Sequence, residues 1–144
     1  MNSDINALYI SQSGLTMGDR DYYLDPENEN IRTAYKEYLG KLFRLAGIPE
    51  ADIEKAVAGV MNIETKLAEK SWSNTELRDI PAQYNPTAKA EFEKTYDAID
   101  WPAYYKAMGI GDFDTIIVTT KSSIANANDL MKNAPLEDIR YYLS

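Results

Sequence analysis

For chemistry the chain offers carboxylates, guanidinium groups and phenols. It has 23 Asp and Glu, 15 Lys and Arg and 11 Tyr, with no His and no Cys. Without imidazole it lacks the usual general base near neutral pH, and without a thiol it has no thiolate nucleophile. The nitrogen and sulfur donors that transition metals prefer are missing too. The carboxylate pairs Asp19/Asp21 and Glu27/Glu29 could serve acid–base catalysis or hold calcium. Neither pair sits in an EF-hand loop with its Gly and closing Glu, nor in a glycosidase-like context, so both read as solvated surface.

The sharpest local string is GLTMGDRDYY at residues 14–23. Its glycines allow tight turns, Arg20 and Asp21 can pair, and Tyr22 and Tyr23 bring apolar bodies with polar tips. It reads as a structural loop packed by its tyrosines, with substrate contact by Arg20 as the functional alternative. Arg78 and Asp79 form a charged pair in a proline-bounded loop. Such a pair can fix the loop by bonding backbone carbonyls and N–H groups. The adjacent tyrosines Tyr22/Tyr23, Tyr104/Tyr105 and Tyr141/Tyr142 cannot share one face of a helix or strand. They read as core plus interface rather than as a sugar-binding platform.

A length of 144 residues fits one domain with its own core. The net charge of −8 argues against nucleic acid and against a polybasic contact with anionic lipid. Zero Cys excludes a disulfide framework; it fits a cytosolic protein and bacterial exported domains alike, so compartment stays open. No apolar run approaches the ~18 residues of a membrane span. Residues 1–6 (MNSDIN) carry no basic region followed by an apolar stretch, so no signal peptide is expected there.

The elements that must position these groups are mostly helical. Residues 1–27 read as irregular or short-element structure. A first helix is expected over 28–46, with Ile31, Ala34, Tyr35, Tyr38, Leu42 and Leu45 as its buried stripe. Gly47 and Pro49 then end it and open a second helix over 49–72, whose stripe is Ile53, Ala56, Val57, Val60, Ile63 and Leu67. The short break implies an antiparallel hairpin. Residues 73–86 read as an ordered loop. Further helices are expected over 87–96, capped by Asn85 or Thr87, from Asp100 to about 108, over 121–132 and over 135–143. TIIVTT at 115–120 is the one strongly β-like run, with its partner strand expected outside this chain. The fold class is therefore mainly α: a single helical domain over 1–144, a helical hairpin and bundle with at most one short β element. Leu136, Ile139 and Leu143 carry a helical stripe to the end without a stop signal, which fits a chain that continues.

Taken in order, the following strings resemble a known family. Tyr9-Ile10 followed by G-L-x-x-x-x-R-D-Y-Y (Gly14, Leu15, Arg20, Asp21, Tyr22, Tyr23) is similar to the N-terminal part of the neprilysin and endothelin-converting-enzyme zinc metalloendopeptidases. Met61-Asn62-Ile63-Glu64-Thr65-Lys66-Leu67-Ala68 resembles a helix of that family. Arg78-Asp79 followed by Tyr84-Asn85 resembles its R-D-x-x-x-x-Y-N loop, and Asp100-Trp101-Pro102-Ala103-Tyr104 a later helix start. Ile116-Ile117-Val118 and the stretch from Leu136 to Leu143 resemble its strand and following helix. The resemblance runs from Tyr9 to Leu143. One departure is Pro86-Thr87 where the family often has Met-Thr; a changed helix start is expected.

The resemblance implies a parent enzyme that hydrolyses peptide bonds of oligopeptides with a zinc-activated water. Its H-E-x-x-H helix and third Glu ligand would lie in a catalytic region outside this chain. No catalytic, cofactor-binding or metal residue is carried over. Arg20, Asp21, Tyr22, Glu64, Arg78, Asp79, Tyr84, Asn85 and Trp101 are carried over as structural motif residues only. The cofactor is none in this chain and zinc in the parent. This segment would help form the lid over the active site. The expected partners are the remainder of the same polypeptide, peptide substrates of the parent, and no nucleic acid. A homodimer of the fragment is also expected, through the strand edge at 115–120 and the face of Leu136, Ile139 and Leu143. Zero Cys points to a bacterial parent; its compartment stays unknown, with export to the periplasm or cell surface as one option. The competing reading is a free-standing acidic helical interaction module.

Overall fold

The computed structural model describes residues 7–144. The readings of residues 1–6 as irregular and without a leader lie outside the described residues. The element order is β1 (Leu8–Ile10), α1 (Asp21–Leu24), α2 (Glu29–Leu45), α3 (Glu50–Lys70), β2 (Pro86–Ala88), α4 (Lys89–Thr95), α5 (Trp101–Ala107), β3 (Thr115–Val118), α6 (Lys121–Asn133) and α7 (Leu136–Tyr142), with three single-turn 3-10 segments between them. The protein is mainly α, as its sequence pattern implies.

The 21-residue α3 is the central pillar. Helices α1, α2, α6 and α7 all pack on it, so its buried positions spread beyond one stripe: Ile53, Ala56, Gly59, Val60, Met61, Ile63, Glu64 and Ala68. α2 meets α3 as the expected hairpin. Gly47, at φ +84°, takes the left-handed position after α2. The Ile48 N–H then reaches back to the Phe43 carbonyl at 3.0 Å, closing the helix end. Arg44 and Glu50 pair across the turn at 2.7 Å.

The buried face of α2 differs from the expected stripe. Tyr35, Leu39 and Phe43 turn inward, four residues apart. Ile31, Tyr38, Leu42 and Leu45 are exposed. Apolar residues run around too much of this helix for spacing alone to say which side meets α3.

β3 finds its partners inside the chain, correcting the expectation that they lie elsewhere. β1 pairs with it in parallel, Tyr9 opposite Ile117, and β2 pairs antiparallel, Thr87 opposite Ile116. The order β1-β3-β2 puts β3 in the middle. Its backbone groups are therefore used on both sides, and it offers no free edge for a dimer. β1 escapes a sequence reading because three residues are too few to set a period-2 pattern. β2 replaces the expected helix start: α4 begins at Lys89 after an Ala88 with no side-chain cap. Pro86, which cannot donate to a ladder, stands on this outer strand.

Two cores result. One joins Tyr23, Tyr35, Leu39, Phe43, Ile53, Ala56, Val60, Met61 and Ala68. The other joins Phe92, Tyr96, Trp101, Tyr105, Ile116 and Val118 around the sheet. Gln12 links them as a false strand: its side-chain amide both donates to the Trp72 carbonyl (3.0 Å) and accepts from the Trp72 N–H (2.7 Å). The Asn126 amide on α6 adds a bond to the Lys66 carbonyl at 2.8 Å. α7 lies against α3 where Gly59 leaves room, since a Cβ there would crowd Asp138. Ile139 is half-buried in that contact, while Leu136 and Leu143 are exposed. The expected three-residue apolar dimer face on α7 is thus only partly exposed.

Among the described residues, no helix is long and apolar enough to cross a membrane.

Candidate functional site

Glu64 is the one carboxylate in the α3 core, 1 % exposed. It lies one helical turn after Val60 and one before Ala68, on the inward face. A buried carboxylate is costly unless its oxygens are bonded. Here both are. Thr16 donates its hydroxyl to Oε1 at 2.5 Å, and Tyr23 donates to Oε2 at 2.7 Å. The Met17 N–H donates to the Tyr23 oxygen at 3.0 Å, which leaves the Tyr23 proton for Glu64.

The 14–23 string is thus a strap that supplies hydroxyls to α3. Gly14 takes φ +95°, and its carbonyl accepts from the Tyr142 hydroxyl at 2.9 Å. A Cβ at Gly14 would collide with that hydroxyl. Above the cluster, α2 and α7 leave an open groove of about 520 Å³, with Glu64 and Thr16 in its floor and Tyr38, Leu42 and Leu143 on its walls.

Burial pushes the Tyr23 phenol far above its ordinary range, and the neighbouring Glu64 carboxylate pushes it the same way. Burial also raises Tyr35, to about 12, with Glu64 again adding. Tyr142 is raised by burial and by Glu64. The folded state therefore keeps these phenols neutral where the unfolded chain ionises them, above about pH 10. Their contribution is fully present below about pH 10 and is lost as pH rises through the folded values. Urea midpoints are expected to fall from about pH 10 upward, by up to about 1.4 kcal/mol per pH unit for each such phenol, through about pH 12 for Tyr35. Midpoints that stay flat between about pH 9 and about pH 11 would contradict the buried cluster.

The other motif residues lie apart from this cluster. Arg20 does not pair with Asp21: its guanidinium donates to the Ser71 carbonyl at 2.7 Å, capping the end of α3, with Glu76 at 3.9 Å. Asp21 opens α1, its N–H donating to Asp19 at 3.0 Å. Tyr22 is exposed, and Tyr23 beside it carries the contact. Asn85 sews its loop to the sheet by donating to the Ala82 and Val118 carbonyls at 2.8 and 3.0 Å. Tyr84 is exposed. Trp101 is buried, and Asp100 caps its helix by accepting from the Ala103 N–H at 3.0 Å.

Arg78 departs from its reading as a loop-fixing cation. It is exposed, and its side chain makes no hydrogen bond or ion pair among the described residues. Asp79 does hold the loop, by accepting from the Ala82 N–H at 3.1 Å. Arg78→Ala is expected to change stability by less than about 0.5 kcal/mol. A loss above about 1 kcal/mol in chemical denaturation would mean a partner that this geometry lacks.

Thr16 was not singled out by sequence reasoning; Tyr35 was placed in the buried stripe of the first helix and Tyr142 in a core-plus-interface pair, but neither beside Glu64. The available signal was Glu64 itself, an acidic residue falling on the apolar side of a strongly periodic helix.

The donor set does not fit zinc. The chain has no His or Cys, and among the described residues no group of three or more acidic side chains could hold a metal ion. What the site builds is a rigid hydroxyl–carboxylate node under an apolar groove, within a mainly helical scaffold.

The model of the N-terminal region of peptidase family M13 matches residues 1–144, and the chain belongs to that family. It is 30 % identical over 138 residues to endothelin-converting enzyme 1 of Mus musculus, covering 92 % of this chain and 18 % of that protein. It is 26 % identical over 138 residues to neprilysin-3 of Drosophila melanogaster, covering 90 % and 18 %. The fold is similar to that of the zinc metalloprotease Zmp1 of Mycobacterium tuberculosis in its open state, with a TM-score of 0.86, 24 % identity, and coverage of 93 % of this chain and 21 % of that one. The chain thus spans about a fifth of the length of these relatives.

Proposed function

We propose that this chain is a non-catalytic helical segment of a bacterial zinc metalloendopeptidase, forming part of a lid over the active site. The observation that carries this is the match of all 144 residues to the N-terminal region of family M13 in a chain with no His or Cys. Zinc, the water it activates and the peptide-bond chemistry belong to the rest of the same polypeptide. The contribution of this segment is steric. A rigid helical wall beside a catalytic cleft selects short, flexible oligopeptides by size and takes no part in bond cleavage.

The gene sequence around these 144 codons tests the reading. An H-E-x-x-H helix and a third Glu ligand are expected downstream. A gene lacking them would overturn it in favour of a free-standing acidic interaction module. The isolated chain is expected to keep no stoichiometric zinc after exposure and desalting, because its carboxylates and carbonyls suit harder cations. One tightly held zinc per chain by metal analysis would contradict this.

A further inference from the structure

α2 carries two apolar faces, and one of them has no cover among the described residues. Tyr35, Leu39 and Phe43 seal onto α3. Ile31, Tyr35, Tyr38, Leu42 and Leu45 alternate steps of four and three, the period of a seam against a second helix. On this seam Tyr38 is 55 %, Leu42 44 % and Leu45 87 % exposed. Tyr38 and Leu42 form the wall of the groove whose floor holds Glu64.

Glu64 gives this groove a sign. Its oxygens are met by hydroxyls, and the described residues bring no Lys or Arg within 4.0 Å of it. The ion pairs of the described residues all lie elsewhere. Glu64 is 1 % exposed and its charge is met by hydroxyls and not by an opposite charge, so a cation lodged above it in the groove gains Coulomb energy from it. An apolar seam around a single anion is complementary to a helix with an apolar stripe and one central cation.

We infer that the groove between α2 and α7 receives an amphipathic helix whose heptad face packs on Tyr38 and Leu42 and whose single Lys or Arg points at Glu64. The helix comes from the same polypeptide outside residues 1–144. That source rests on the proposed function and on the chain spanning 18 % of the length of its relatives; the chemistry of the groove does not.

The test is a titration of this 144-residue chain with overlapping synthetic peptides that tile the rest of the polypeptide, followed by calorimetry and circular dichroism. One helix-forming peptide with a Lys or Arg is expected to bind. Replacing that residue by norleucine is expected to weaken binding about tenfold, and the difference is expected to vanish on Glu64→Gln. Leu42→Glu, an exposed change that leaves the core intact, is expected to abolish binding even if Glu64→Gln perturbs folding. The inference is overturned if no peptide binds, if the norleucine peptide binds the unaltered chain equally well, or if binding survives Leu42→Glu. It is also overturned if sedimentation finds a dimer of the chain that Leu42→Glu dissolves, because a second copy is then the occupant. A gene without H-E-x-x-H would remove the peptidase reading alone and leave the charge-dependent binding standing.

Discussion

Trp101→Ala is expected to cost about 3–5 kcal/mol, a large share of the 5–15 kcal/mol that holds a typical domain together. The indole is 7 % exposed and central to the sheet-side core. Its ring meets Phe92 edge-on with centroids 4.8 Å apart and lies near-parallel to Tyr105 at 6.0 Å. Its N–H donates to the Tyr96 carbonyl at 2.5 Å. Truncation would leave a cavity among rigid rings, whose planar shapes cannot collapse to fill it. It would also leave the Tyr96 carbonyl unpaired. Trp101→Phe separates the two effects: it keeps a ring and loses the hydrogen bond, and is expected to cost about 1–3 kcal/mol. Tyr104, 44 % exposed, is the control, and its truncation is expected to cost under about 1 kcal/mol. Guanidinium unfolding of the three variants decides the matter. A loss below about 1 kcal/mol for Trp101→Ala would mean that the α4–α5 layer is not cooperative with the rest of the fold.

The contrast between Trp101 and Glu64 marks what the sequence carried. Asp100-Trp101-Pro102 announced a helix through a cap and a first-turn proline, and the structure places that cap and that buried ring accordingly. The α2–α3 hairpin was legible for a similar reason, because Gly47 and Pro49 are local signals. Tertiary choices were less visible. The stripe on α2 shifts from Tyr38 and Leu42 to Leu39 and Phe43, since only the position of α3 decides which apolar face is used. The sheet is held by register between residues 29 and 108 positions apart, as in Thr87 with Ile116 and Leu8 with Ile116, and no local pattern encodes that pairing. Glu64 was recognisable as a motif residue. Its hydroxyl partners were not, because Thr16, 48 positions away, and Tyr23, 41 positions away, reach it only through the fold. Arg78 is the converse. Its neighbour Asp79 suggested pairing, and the chain geometry leaves it in solvent.

Glu64→Ala is expected to destabilise the protein by about 2–4 kcal/mol, even though it removes a buried charge. The opposing effects can be weighed. Deleting the carboxylate relieves its desolvation, which favours the variant. It also removes two hydroxyl–carboxylate bonds, each worth about 1.5–3 kcal/mol, and opens a void at the centre of α3. The hydroxyls of Thr16 and Tyr23 stay behind, partly buried and unpaired, so the loss outweighs the relief. Glu64→Gln keeps the volume and one acceptor oxygen, and is expected to cost about 1–2 kcal/mol. The decisive measurement is a double-mutant cycle with Tyr23→Phe, which removes the hydroxyl while keeping the ring. If the 2.7 Å bond couples the strap at residues 14–23 to α3, the double variant is expected to be less damaged than the sum of the singles by at least about 1 kcal/mol. Additive losses would mean that the strap is held by the packing of Tyr23 alone. Glu64 would then be a solvated bystander that the groove leaves open to water.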